Sequence, residues 1–294
     1  MRANTSKGES MQKKKRKASV KKRIAVIFLC VFFFACSLLG ITALGSVYTG
    51  RTFKRFTPDY EKMDLTPILA KSVLSESDYE TLYRQTGLTK LGIDGLLKEN
   101  KRSRIFEIQD FFFEEHAIKP HHFAPFTYLE RIDGYAPMAV LEDGDIIVSS
   151  TTRVSWFRYG HTALVLDGET ERLLESFAPG QNSAVTSSQA FARLANFLIL
   201  RPKADKAIKE QVVNYAWEHL IGVPYRMTTG VFSKKFPNEI NGSQCAHIVW
   251  YAYKKYGIDL DSTGGAVVKP QDMALSSEVE LVQAFGFDLD TLWG

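Results

Sequence analysis

Between Ile24 and Tyr48 the chain runs 25 residues without a charge, "IAVIFLCVFFFACSLLGITALGSVY". A helix of about 20 apolar residues crosses a bilayer core, so this run is long enough to span one. The first 23 residues hold ten Lys and Arg against a single acid, Glu9. So dense a positive flank predicts that the N-terminus stays in the cytoplasm and that everything after the run is exported. A cleaved signal peptide is the competing reading, but its apolar core is usually about 7–15 residues and ends at a small-residue site. This run is longer, and no A-x-A site follows it. Cys30 and Cys36 then read as small apolar residues of the span.

Charge divides along the same line. The chain carries +4 in all, of which the basic tail supplies +9, leaving −5 for the remainder. The exported part has no basic excess, which argues against nucleic acid as a partner. The tail itself suits anionic headgroups on the inner leaflet. The expected organisation is a cytoplasmic tail (1–23), a single-pass plasma-membrane anchor (24–48), a mostly helical juxtamembrane region (49–135) and an extracellular α+β domain (136–294).

Periodicity supports the last two divisions. Ser75 is a plausible N-cap for "ESDYETLYRQTGLTKLGIDGLLKEN", and Gly87, Gly92 and Gly95 break that stretch into short helices. "RIFEIQDFFFEEH" is a second amphipathic segment, its three phenylalanines serving as packing surface. His116, His121 and His122 have no cysteine or carboxylate at zinc-like spacing beside them, so a structural role is the expectation. After "EDGD" the pattern becomes strand-like. "DIIVSS", "HTALVLD", "RLLESFA" and "NFLILRP" are short apolar runs bounded by Gly, Asp, Asn or Pro. Asp205 then caps a helix that stops at Gly222, and a second helix follows from about Ser243 to Gly257. Strands first and helices after predict a mainly antiparallel sheet packed on helices. "DLDSTGG" has the opening spacing of a calcium loop, but Pro270 stands where the twelfth-position Glu belongs, and a solvated turn is the expectation.

The remaining cysteine, Cys245 in "NGSQCAHIVWYAYKKYG", lies at the start of that last helix. With Ser243 as N-cap, Cys245 falls in the first turn, where the helix dipole and free N–H groups favour an anion. It shares a face with Ile248, Val249, Ala252 and Tyr256, so it looks inward. A small buried hydrophobe is the other reading of this segment alone. A thiol nucleophile needs an imidazole and a group to orient it. His247 points to the opposite side of the same helix, and His219 suits a solvated helix end. His161 opens a strand directly after Gly160, at a sheet edge from which a ring can reach a helix N-terminus. Glu175, on the next strand of a hairpin through "DGETE", can orient that ring, while Ser176 faces the other way.

The ordered set "GDIIVSS…GHTALVLDG…LLESF…GVPY…SQCAHIVWYAY…GIDLD…VKPQDM" resembles the circularly permuted papain-like cysteine hydrolases of the NlpC superfamily, nearest to the YiiX-like branch. The resemblance covers about residues 142–275. "DYETLYRQTGLTKLGIDGLL" is similar to the N-terminal region of membrane-anchored relatives in Gram-positive bacteria. The resemblance implies a permuted papain-like fold with Cys245 as nucleophile, His161 as base and Glu175 in the third, polar position. It implies cleavage of an amide bond in cell-wall peptides or, as the alternative, a lipid acyl hydrolase or acyltransferase acting on a lipid amide or ester, with no metal or organic cofactor required. The chain departs from the pattern after the nucleophile, where the family often has Cys-Ser-Glu-Leu-Val-Trp. Here Ala246 and His247 replace the Ser-Glu pair, which bears on substrate preference. A wall- or lipid-binding module without catalysis is the remaining alternative.

Overall fold

The computed structural model describes residues 3–124 and 127–293. The chain forms two units, Met1–Thr52 and Phe53–Gly294. The first is a single helix, α1 (Ala3–Thr52). Within it Val20–Thr52, 33 residues, is long and apolar enough to cross a membrane. Phe28, Phe34 and Leu44 are exposed along it, a surface that water disfavours and lipid tails accept.

The second unit is α+β. It opens with helices α2 (Thr66–Leu69), α3 (Glu76–Thr86), α4 (Lys90–Lys98) and α5 (Arg102–Phe113). Strands β1 (Ile118–Ala124), β2 (Thr127–Ile132), β3 (Ile146–Ser149), β4 (Thr152–Val154), β5 (Phe157–Arg158), β6 (His161–Asp167), β7 (Arg172–Glu175) and β8 (Ala184–Ser187) follow. Then come α6 (Gln189–Ala192), β9 (Phe197–Pro202), α7 (Lys206–His219), α8 (Cys245–Lys254), α9 (Pro270–Ala274) and β10 (Val279–Phe285). Six strands form an antiparallel sheet in the order β10-β9-β3-β6-β7-β8, and β1-β2-β4-β5 form a second antiparallel sheet. The central strands β3, β6 and β9 are almost wholly buried. That explains why they read as continuous apolar runs rather than as alternating ones. Helices α7 and α8 pack on β6, and α9 packs on β3.

Local signals account for most helix ends. Ser75 caps α3, accepting from the Asp78 N–H at 3.2 Å while Asp78 accepts from the Ser75 N–H at 2.9 Å, a reciprocal capping box. Asp205 caps α7 by accepting from the Ile208 N–H at 2.8 Å. Gly87, at φ +72°, ends α3; a Cβ there would lie 2.0 Å from the Ala284 carbonyl oxygen, so the position needs glycine twice over. Gly92 and Gly95, however, do not break the chain but lie inside α4. The reason for Gly92 is tertiary: a Cβ would meet the Val282 carbonyl oxygen at 2.6 Å, so glycine lets α4 press against β10.

That contact also removes the domain boundary expected at residue 135. Thr89 Oγ1 donates to the Leu281 carbonyl at 2.6 Å, and Leu88 bridges Gln283. The apolar faces of α3, α4 and α5 have no core of their own; Leu82, Ile93, Ile105 and Phe112 join one cluster with Ile147, Leu198 and Val282. The region expected to be mostly helical also contains β1 and β2, which pair with each other and, through β2, with β4.

Candidate active site

His161 owes its position to the residue before it. Gly160 has φ +80°, and a Cβ there would sit 2.6 Å from the Ser149 carbonyl oxygen and 3.2 Å from the Pro270 ring. Only glycine turns the chain this sharply into β6. His161 then pairs with Ser149 at the end of β3. The register of β6 and β7 brings in the carboxylate. Ala163 lies opposite Glu175, and His161, two residues earlier, occupies the same face of the sheet. His161 Nε2 lies 2.6 Å from Glu175 Oε2. An ionised carboxylate only accepts, so Nε2 donates.

The pair is itself held. Glu175 lies opposite Ala184 of β8, and Thr186, two residues on and on the same face, donates its hydroxyl to Glu175 Oε1. The ring is stacked 5.4 Å from Phe191 of α6 and meets Phe177 edge-on at 5.2 Å. His161 and Glu175 are 3% and 4% exposed, so water does not compete for their hydrogen bond.

Cys245 comes from the opposite layer. It is the first residue of α8, with Gln244 as N-cap. Ser243 is therefore not the cap, because its groups are engaged elsewhere. Its N–H donates to the Pro224 carbonyl at 3.0 Å, its backbone bridges Tyr225, and its hydroxyl meets His247 Nδ1 at 2.8 Å. Gln244 in turn donates its amide to the Met227 and Thr229 carbonyls at 2.6 and 3.2 Å. Ile248, Val249 and Ala252 are fully buried behind Cys245, and α8 packs on β6. The Cys245 thiol thus lies near enough to His161 for its charge to act on the ring. Since Nε2 is committed to Glu175, Nδ1 is the nitrogen left for the thiol.

The electrostatics follow from this geometry. Burial works to lower the His161 pKa, but the neighbouring Cys245 and the hydrogen-bonded Glu175 outweigh it and push the value up to about 10. Two tyrosines border the same thiol. Burial raises the hydroxyl pKa of Tyr159 and of Tyr225, and the nearby charge of Cys245 raises both further. Tyr159 stands just before Gly160, and Tyr225 is held beside Ser243 by a parallel bridge.

The other histidines serve elsewhere. His247 Nε2 donates to the Lys235 carbonyl at 2.7 Å, so Nδ1 accepts from Ser243, and burial lowers its pKa. His219 lies tilted against Tyr215 at the end of α7, ring centroids 4.7 Å apart. His116 stacks on Phe111 at 4.1 Å. Among the described residues no group of three or more His, Cys, Asp and Glu is arranged to hold a metal ion. Asp259 accepts from Trp250 Nε1 at 2.7 Å, and Asp261 pairs with Lys235.

All three residues singled out from sequence, Cys245, His161 and Glu175, are therefore brought together. Thr186, Phe177, Phe191, Tyr159 and Tyr225 were not anticipated. Tyr159 alone had a local signal, standing next to the Gly-His pair. A thiol beside an imidazole whose Nε2 is fixed by a carboxylate is an arrangement that suits nucleophilic acyl transfer. No protein-family model, no curated protein and no solved structure matches this chain.

Proposed function

We propose that this chain is a membrane-anchored cysteine hydrolase of permuted papain-like type, with its catalytic domain outside the cell. The observation that carries the reading is the buried His161–Glu175 pair with the buried Cys245 thiol beside it. For the attack the Cys245 proton rests on His161, whose pKa is raised. The Cys245 sulfur attacks an amide carbonyl, and the oxygen takes the negative charge. Backbone N–H groups in the first turn of α8 have no intrahelical acceptor and face that charge. His161 Nδ1 gives its proton to the departing amine as the C–N bond breaks, leaving a thioester on Cys245. Water then attacks the thioester while His161 takes its proton. The acid leaves, and thiolate and imidazolium are restored. The sum is amide plus water to acid plus amine. Glu175, anchored by Thr186, holds the ring and stabilises its charge without itself exchanging a proton.

Cell-wall peptides are the proposed substrates, since an exported, tethered amidase meets them. The test incubates the full-length protein and Cys245→Ala with muropeptides and, separately, with acyl lipids, and follows amine or fatty-acid release. Release of a new amino group from muropeptides by the wild type alone supports the reading. Fatty-acid release alone transfers the same chemistry to a lipid acyl hydrolase. No release from either set returns the site to a binding role.

A further inference from the structure

The hairpin of β4 and β5 carries two large aromatic side chains at its tip, Trp156 and Phe157, which are 51% and 62% exposed. Its turn is tight: Val154 pairs with Phe157 and Ser155 takes φ +52°. Its base is stiff. Glu130, almost fully buried, accepts from Arg153 Nε at 3.0 Å and from Arg158 Nη2 at 2.8 Å. Arg158 also donates to the Ser150 carbonyl at 3.0 Å. A largely buried ion network thus presents an apolar pair whose two side chains stay more than half exposed.

The same arginine fixes where this tip lies along the chain. The Arg158 guanidinium sits 4.0 Å over the ring of Phe53. Phe53 is the residue that follows α1, five positions after Tyr48 at the end of the apolar run. Even a fully extended chain separates those two positions by at most about 18 Å. Phe53 therefore stays within reach of the headgroup layer whatever the orientation of the two units. Arg51 and Lys54, both exposed, flank it with positive charge, which suits phosphate headgroups. Tryptophan is the side chain enriched at such interfaces, its ring apolar and its N–H wet.

We infer that the Trp156–Phe157 tip docks into the interfacial layer of the bilayer that anchors the chain, on the side of the C-terminal domain. This rests on the reading of residues 24–48 as a membrane anchor, and it is independent of catalysis. It has a consequence for the site. Phe157 is four residues from His161, at most about 14 Å along the chain, so a docked tip holds the Cys245–His161 pair close to the membrane surface.

The test uses the full-length protein in vesicles of phosphatidylcholine and phosphatidylglycerol whose acyl chains are brominated at shallow or deep positions. The wild-type tryptophan emission minus that of Trp156→Phe isolates Trp156 from Trp217, Trp250 and Trp293. The expected result is quenching of this difference signal by shallow bromines, with little effect of soluble iodide. Phe157→Ser, a second exposed position, should weaken the quenching. Retention of the protein after alkaline carbonate washing, with Trp156 open to iodide and untouched by bromine, overturns the docking alone. Release into the carbonate supernatant overturns the anchor reading and the docking with it. Protection from iodide that grows with protein concentration, without bromine quenching, assigns the tip to a second copy of the chain and also overturns the proposal.

Discussion

Glu175→Gln isolates the contribution of the carboxylate to the relay. Glutamine keeps the shape: its Oε1 accepts from His161 Nε2, and its amide donates to Thr186 once that hydroxyl rotates. Only the charge is lost. The imidazolium then faces a neutral amide, and losing an adjacent opposite charge, which typically shifts a pKa by about 1–3 units, lowers its pKa by at least about one unit, or about 1.4 kcal/mol. The ring is buried and the carboxylate lies at 2.6 Å, so solvent does not dilute the effect. The assay is an NMR titration of the His161 ring carbons, with His161→Gln identifying its signal among the six histidines. The midpoint should drop from about 10 by at least about one unit. Iodoacetamide alkylation of Cys245 at neutral pH should slow with it, in a Cys30→Ala/Cys36→Ala background. A midpoint that stays in place in a folded Glu175→Gln protein would show that the carboxylate does not support the ring, and the relay reasoning would fail.

Three further outcomes follow from the same structure. Gly160→Ala forces an L residue into φ +80° and a Cβ against the Ser149 carbonyl; a loss of about 2–4 kcal/mol, seen as a lower midpoint in chemical denaturation, is expected, and an unchanged midpoint contradicts it. Because the folded His161 pKa is raised, its contribution to stability is fully present below about pH 6.5 and is lost as pH rises through about 10; the melting temperature should fall across that window, and fall less in His161→Gln. Protease added to intact cells should remove the C-terminal domain, and complete protection with an intact membrane would reverse the orientation.

The site was legible in the sequence where chemistry and local geometry coincide. A Gly-His pair at a strand start, a Glu one hairpin away and a Cys at a helix start needed only strand alternation and helix phase to be brought together. What supports them was not legible. Thr186 sits in "AVTSS", a run with no apolar pattern, and its role follows from the β7–β8 register, which tertiary pairing sets. Phe191 reaches the ring from a one-turn helix that no periodicity marks. Ser243 looked like a cap because serine usually is one, yet its hydroxyl serves His247 and its backbone pairs with Tyr225. Gly92 looked like a helix breaker, and its use became visible only once β10, some 190 residues later, lay against it. The boundary at 135 failed for the same reason, since amphipathic helices do not announce which sheet will cover them.

The central claim is that Cys245 forms an acyl-enzyme with the help of His161. The most direct measurement is peptide mass mapping after incubation with muropeptides or acyl lipids and an acid quench, comparing wild type with His161→Ala and Cys245→Ala. The account predicts a thioester adduct on the Cys245 peptide of the wild type, matching the acyl part of one substrate set, with turnover lost in both variants. An unmodified Cys245 peptide in the wild type, alongside substrate cleavage that survives in Cys245→Ala, would contradict it.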